Sequence, residues 1–222
     1  MAENFDVDKE IAERLLKWFE ANRRTFSWRG ESDPYKIAVA EILLQKTRAE
    51  KVDEFFKYFI QKYPTPSSLL KLSLTELEEE LKPLGLHRQR AKRLRELAES
   101  LVEKYGGTLP DSIEELLALP GIGEYVANAV LCFAFGKEVP LVDTNVVRVL
   151  KRVYLMETIR DARRDPRVWE KAWKILPRGR AKEFNWALID FAALVCKPRN
   201  PECGSCVLGD ICKWRGQRGR SR

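Results

Sequence analysis

This chain of 222 residues has no run of about 18 consecutive apolar residues, so no segment of it reads as a membrane span. Its opening, MAENFDVDKE, does not read as a secretory signal peptide, and we expect a reducing, cytoplasmic setting. Strand-like alternation and internal repeats are also missing, which argues against β architectures and solenoids. There is one histidine, His87, which reads as a surface or phosphate contact rather than a catalyst. Cysteine is nearly absent before residue 196: only Cys132 occurs there, in the apolar run VLCFAF, where it reads as core.

Apolar residues make up 45% and charged residues 33%, an ordinary balance for a globular protein with a substantial core. The formal charge is +7, and the excess is marked from Cys196 onward, so a polyanionic partner is expected, nucleic acid first. Helical periodicity runs almost throughout. Helices are expected over about residues 8–22, 34–46, 49–62, 88–105, 124–135, 143–154, 165–175 and 180–195, with shorter ones after Ser73 or Thr75 and after Asp111 or Ser112. In the helix at 88–105, Leu94, Leu97, Leu101 and Val102 are expected inward. Trp18, Trp28, Trp169 and Trp173 are expected as core or interface aromatics, and the tail GQRGRSR as irregular. The fold class is all-α.

Two local patterns carry chemistry. Cys196, Cys203, Cys206 and Cys212 follow C-x6-C-x2-C-x5-C among Lys197, Arg199, Lys213 and Arg215. A cage of four soft thiolates suits zinc or an iron–sulfur cluster, and distance along the chain does not separate them. The second pattern is L-P-G-I-G-E-Y at residues 119–125, between two helical stretches. Pro120 stiffens the turn, Gly121 and Gly123 allow positive φ and close backbone approach, and the free amides of the next helix form an anion site. Such a turn holds a DNA phosphate without reading sequence.

The full cysteine spacing resembles the [4Fe–4S] loop of the endonuclease III superfamily of DNA glycosylases, and the turn is similar to that family's helix-hairpin-helix motif. The resemblance covers roughly residues 20–213. It implies a two-lobed fold: residues 23–133 form a helical barrel lobe carrying the hairpin (113–135), and residues 1–22 with 134–222 form a cluster lobe (loop 196–212). An active cleft is then expected between Tyr125 and Asp143. The family's catalytic aspartate lies in P-x-V-D-x-N-V-x-R-V, which maps onto Asp143 within residues 140–149; by itself Asp143 also reads as a helix cap. A carboxylate there stabilises an oxocarbenium-like sugar and helps deprotonate the attacking water.

Members that also cut the strand carry a lysine two residues past the second hairpin glycine. Here Tyr125 stands there and cannot form an imine, so base removal without strand cleavage is expected, with Tyr125 lining the base pocket. Residues 33–47 resemble the matching helix of adenine glycosylases and of Mig-type glycosylases, which remove thymine or uracil opposite guanine. In both, a glutamate occupies the Glu41 position, and in the adenine branch it protonates the leaving base. Three features favour the Mig type: Ala49; Leu86 in G-L-x-x-Q-R at residues 85–90, a stretch whose Arg88 is also expected to bind DNA; and Trp186, where the adenine branch usually has glutamine. The chain also ends ten residues after Cys212, whereas adenine enzymes usually carry a further domain.

The resemblance therefore implies a monofunctional glycosylase acting on thymine or uracil mispaired with guanine in double-stranded DNA. Gln45, Lys46 and Leu86 would fill the space left by the flipped base and touch the orphan guanine. Gly121 and Gly123 would hold the backbone, and the [4Fe–4S] cluster on the four cysteines would shape a basic loop. We expect a monomer in a prokaryotic, nucleoid-associated setting, with a downstream abasic-site endonuclease as a possible partner. The alternatives are an adenine glycosylase acting opposite guanine or 8-oxoguanine, an oxidised-pyrimidine glycosylase, and a non-enzymatic iron–sulfur DNA-binding protein.

Overall fold

The computed structural model describes residues 6–220, with side chains to 217. In chain order its α-helices are α1 (Val7–Asn22), α2 (Pro34–Leu44), α3 (Ala49–Lys62), α4 (Pro66–Leu69), α5 (Leu74–Leu81) and α6 (His87–Tyr105). They continue with α7 (Ile113–Ala118), α8 (Glu124–Phe133), α9 (Thr144–Tyr154), α10 (Pro166–Ile175), α11 (Ala181–Leu194) and α12 (Lys213–Arg220). Short 3-10 turns occupy Ser27–Gly30, Lys82–Leu84 and Ala162–Arg164. No strand occurs among the described residues, and the fold is all-α. The chain forms two compact units: residues 25–137, and the flanking chain up to Arg24 and from Glu138 onward.

In the unit of residues 25–137, α2 is apolar nearly all round, and Ile37, Ala38, Val39, Ala40, Ile42 and Leu43 are all buried. A helix with that pattern belongs inside a bundle, and α3, α6 and α8 pack around it. It starts where Asp33 accepts hydrogen bonds from the Tyr35 and Lys36 amides, with Pro34 in the first turn. It ends at Leu44, short of the expected Lys46, because Lys46 takes a left-handed backbone with φ 56°. Ser73, not Thr75, caps α5, in a reciprocal box with Glu76. On α6 the inward stripe is Ala91, Leu94, Leu97, Ala98 and Leu101. Val102, expected inward, is 37% exposed, since one residue past Leu101 rotates it about 100° off the stripe. Gly106 and Gly107, with φ of 62° and 87°, stop the helix.

In the other unit α1 packs on α10 and α11, and α9 packs on α10, α11 and α12. Its core includes Leu15, Val149, Val168, Phe184, Ala187 and Phe191. Burial of each larger apolar side chain contributes about 1.5–3 kcal/mol. Three carboxylates of this unit, Asp8, Asp165 and Asp190, are buried with partners. Asp190 accepts from the Arg24 amide (2.9 Å) and guanidinium (2.7 Å). Asp8 accepts from the Tyr154 hydroxyl (2.6 Å) and from Lys171 Nζ (3.1 Å). Trp173, expected as a packed aromatic, is 50% exposed: it lies off the buried face of α10 formed by Val168, Ala172 and Ile175.

The tail is also helical where irregular chain was expected. α12 runs to Arg220 despite Gly216 and Gly219, and residues 221–222 lie outside the described residues. Tertiary contact overrides weak propensity here. α12 packs on α9, with the Arg152 guanidinium 4.6 Å from the Trp214 ring centre.

Candidate active site and metal centre

The approach to Asp143 is pinned by a buried amide. Asn185, on α11, accepts from the Leu141 amide (3.0 Å) and donates to the Val139 carbonyl (2.9 Å), fixing the segment that enters α9. Asp143 is the N-cap of α9: its Oδ1 accepts from the Asn145 amide (2.8 Å) and the Val146 amide (2.7 Å). Its Oδ2 accepts from the Asn145 side-chain nitrogen (2.6 Å). Capping therefore immobilises the carboxylate in half-buried surroundings at the positive end of a helix.

The bonding continues past Asn145. Arg148 donates to Asn145 Oδ1 (3.0 Å), to the Ala192 carbonyl (2.9 Å) and to the Cys196 carbonyl (2.9 Å). Burial pushes the Arg148 pKa down, while the charges of Cys196 and Asp143 oppose that shift. An unbroken chain of hydrogen bonds thus joins the Asp143 carboxylate to the backbone of the first loop cysteine. Trp186 is half-buried on α11, with Lys182 Nζ 5.0 Å from its ring centre.

In the unit of residues 25–137, Glu41 lies on the buried α2 and is only 5% exposed. The turn after α2 and the turn before α6 are tied together by Arg90, itself 2% exposed. Its guanidinium donates to the carbonyls of Leu43 (3.1 Å), Gln45 (2.5 Å) and Leu84 (3.0 Å), to the Gly85 carbonyl and to Thr47 Oγ1 (2.6 Å). Lys46 and Leu86 each hold a left-handed backbone (φ 56° and 50°) beside these anchors, and both side chains are exposed. A non-glycine residue in that region costs about 1–2 kcal/mol, and here one buried guanidinium ties two such turns together. Arg88 is exposed with Glu78 3.9 Å away, and Ala49 is half-buried at the start of α3.

The hairpin joins this cluster through Arg93, which donates to Gln45 Oε1 (2.8 Å). Gly121 has φ +77°, and a Cβ built there would stand 3.2 Å from Arg93 Cβ. Gly123 does not share that conformation: its φ of −99° is open to any residue, and it is the N-cap of α8 without a side-chain cap. No atom comes within 4 Å of a Cβ placed there, so the space beside this turn is open. Tyr125, in the first turn of α8, is half-buried.

The four loop cysteines line one cavity of about 360 Å³ with Phe191, Leu208 and Trp214. Among the described residues no three Cys, His, Asp or Glu side chains are grouped to hold a single ion. Four soft donors around a shared cavity suit a group of several irons. The surrounding N–H groups point the same way. Arg152 donates to Cys196 Sγ (3.4 Å) and to the Lys197 carbonyl (2.7 Å). Backbone amides of Leu208 serve Cys206, and those of Trp214 and Arg215 serve Cys212. Burial pushes the Cys206 and Cys212 thiols up, with the neighbouring cysteines adding to the effect, so bound metal is needed to keep them as thiolates.

The sequence from Cys196 to Cys212 matches the iron–sulfur binding domain of endonuclease III, and residues 39–178 match the HhH-GPD superfamily of base excision DNA repair proteins. This chain belongs to the HhH-GPD superfamily. It carries the superfamily's [4Fe–4S] loop, and the donor set around the cavity fits that group. A thymine-DNA glycosylase of Aeropyrum pernix is 39% identical over 91% of this chain and 92% of its own length. A thymine/uracil-DNA glycosylase of Methanothermobacter thermautotrophicus is 37% identical over 93% of both. An adenine DNA glycosylase of Mycobacterium tuberculosis is equally similar at 39%, but this chain spans only 66% of its length. Among solved structures, a thermostable thymine-DNA glycosylase superposes with a TM-score of 0.91 at 35% identity, covering 97% of this chain and all of the other.

Sequence reasoning passed over Asn145 and Arg148 although both stand inside the motif around Asp143; their polarity within an otherwise apolar helix start was the available signal. Arg90 likewise sat inside a quoted motif. Asn185 stood next to Trp186 in a motif position, whereas Arg93 gave no signal, because its partner Gln45 is far away in sequence.

Proposed function

We propose that this HhH-GPD protein is a monofunctional DNA glycosylase that hydrolyses the N-glycosidic bond of thymine or uracil mispaired with guanine in double-stranded DNA. The observation that carries the reading is the Asp143 carboxylate, held by three short hydrogen bonds at the start of α9. Fixed in this way, it stabilises positive charge developing on the sugar and orients the attacking water, with little reorganisation during the reaction. Glu41 assists departure of the base as a proton donor, and Tyr125 lines the base pocket. With tyrosine where strand-cutting relatives place lysine, no amine attacks the sugar and an abasic site is the product.

Lys46 and Leu86 occupy the stack vacated by the flipped base, with Gln45 beside them, and the amides at Gly121 and Gly123 hold a backbone phosphate. Ala49, Arg88 and Trp186 are assigned to DNA contact. Cys196, Cys203, Cys206 and Cys212 are the proposed cluster ligands, and the bound cluster supplies a rigid cross-link for the loop. The thymine- and thymine/uracil-glycosylase relatives support this choice of base.

Replacing Asp143 by Asn keeps the cap acceptor but removes the charge. Excision should fall by at least about 100-fold while duplex binding is retained. Unchanged turnover would remove Asp143 from the chemistry. The buried Glu41 favours one second reading, excision of adenine, which also requires base protonation.

A further inference from the structure

A groove runs along one face of α9. Thr144, Arg148, Lys151 and Leu155 follow it from the residue after Asp143 to the helix end, about 16 Å at helical rise. Together with the 156–163 segment they line an open groove enclosing about 1460 Å³, open solvent included. Five cations line it (Arg148, Lys151, Arg152, Arg160 and Arg163) against two acids, Glu157 and Asp161.

The cations divide by engagement. Arg148 and Arg152 are held by the carbonyls near Cys196 and act as fixed background charge. Lys151, Arg160 and Arg163 are exposed at the rim. Lys151 donates only to the neutral Thr158 hydroxyl (2.9 Å). Arg163 is tethered to Asp161 by two bonds of 3.0 and 3.1 Å, an exposed pair of small net value. Arg163 also feels the charge of Asp143, which places the groove within electrostatic reach of that carboxylate. Ile159 (50% exposed) and Leu155 (37%) add apolar surface suited to sugar edges.

We propose that this groove is a phosphodiester-binding track, in which Lys151, Arg160 and Arg163 hold phosphates of the DNA strand that passes Asp143. It rests on the glycosylase reading and extends that protein's footprint beyond the hairpin. Asp161 acts as a brake: it holds Arg163 until a phosphate takes its place. The acidic alternative, a carboxylate-rich peptide, accounts less well for a cationic track that begins at Asp143.

The test is binding of the full chain to T·G and fully matched duplexes over a series of salt concentrations. The double substitution R160Q/R163Q should reduce the slope of log K against log salt by about 1.8, or about 0.9 per lost phosphate contact, and weaken both duplexes alike. Asp161→Asn should tighten binding several-fold, a gain that misfolding does not produce. An unchanged slope in the double variant, with no gain in Asp161→Asn, would overturn the track; a groove for acidic peptide gives that same pair of results. Failure of the glycosylase reading registers separately, as no excision by the unsubstituted protein on any duplex, and leaves the slopes readable.

Discussion

Asp143 has one observed role at the residue scale, as the cap that stabilises α9, and one proposed role, as the fixed charge that faces the chemistry. Its own cap orders it, so the residue that matters next is Asn145, which donates to Asp143 and accepts from Arg148. Hydrogen bonds to charged groups are worth about 1.5–3 kcal/mol. Asn145→Ala should therefore slow single-turnover excision by about 10- to 100-fold with a much smaller change in DNA affinity; a rate within twofold of the parent would show that the Asp143 cap suffices alone. The candidates Asp143, Glu41 and Tyr125 were legible because each sits in a short contiguous motif. The link from Asn145 through Arg148 to Cys196 was not legible, because it closes across 48 residues of chain and depends on how α11 ends.

At the scale of elements, turns do most of the positioning. Gly121 combines a left-handed backbone with a tight approach to Arg93. Gly121→Ala should strain the turn by about 1–2 kcal/mol and, on the proposed phosphate contact, weaken binding to every duplex regardless of sequence. An equal affinity would show that the turn does not grip DNA.

The junction of α1 with α9 and α10 rests on Asp8. Its carboxyl is held below the ordinary value of 3.8: hydrogen bonds from Tyr154 and Lys171 and the charges of Lys171 and Lys174 outweigh the opposing effect of burial, the largest single influence. A depressed carboxylate pKa stabilises the fold above its unfolded value, and that contribution is lost as pH falls through the folded one. Asp8→Asn should thus cost about 2 kcal/mol near neutrality, and the deficit should shrink below about pH 4. A deficit that stays constant with pH would contradict the ion-pair account. Helices with strong periodicity and caps were readable to within two residues, while α12 was not. Its glycines argue against a helix, and only packing on α9, with Trp214 over Arg152, supplies the reason for one.

At the scale of the whole molecule, the all-α architecture and the [4Fe–4S] loop follow from patterns spread along the chain, and so were legible. Base preference is different. The thymine and adenine relatives are each 39% identical to this chain, so percentage identity alone does not choose between them, although this chain spans 92% of the first and 66% of the second. On the proposed reading, the choice falls on a few side chains, Ala49, Leu86 and Trp186, on one scaffold. The most direct measurement is single-turnover excision on otherwise identical duplexes carrying T·G, U·G, A·G or A·8-oxoguanine, with alkali added afterwards to reveal abasic sites. Fast loss of T and U, with strand breaks appearing only after alkali, is the expected result. Preferential loss of adenine, or strand breaks without alkali, would contradict it.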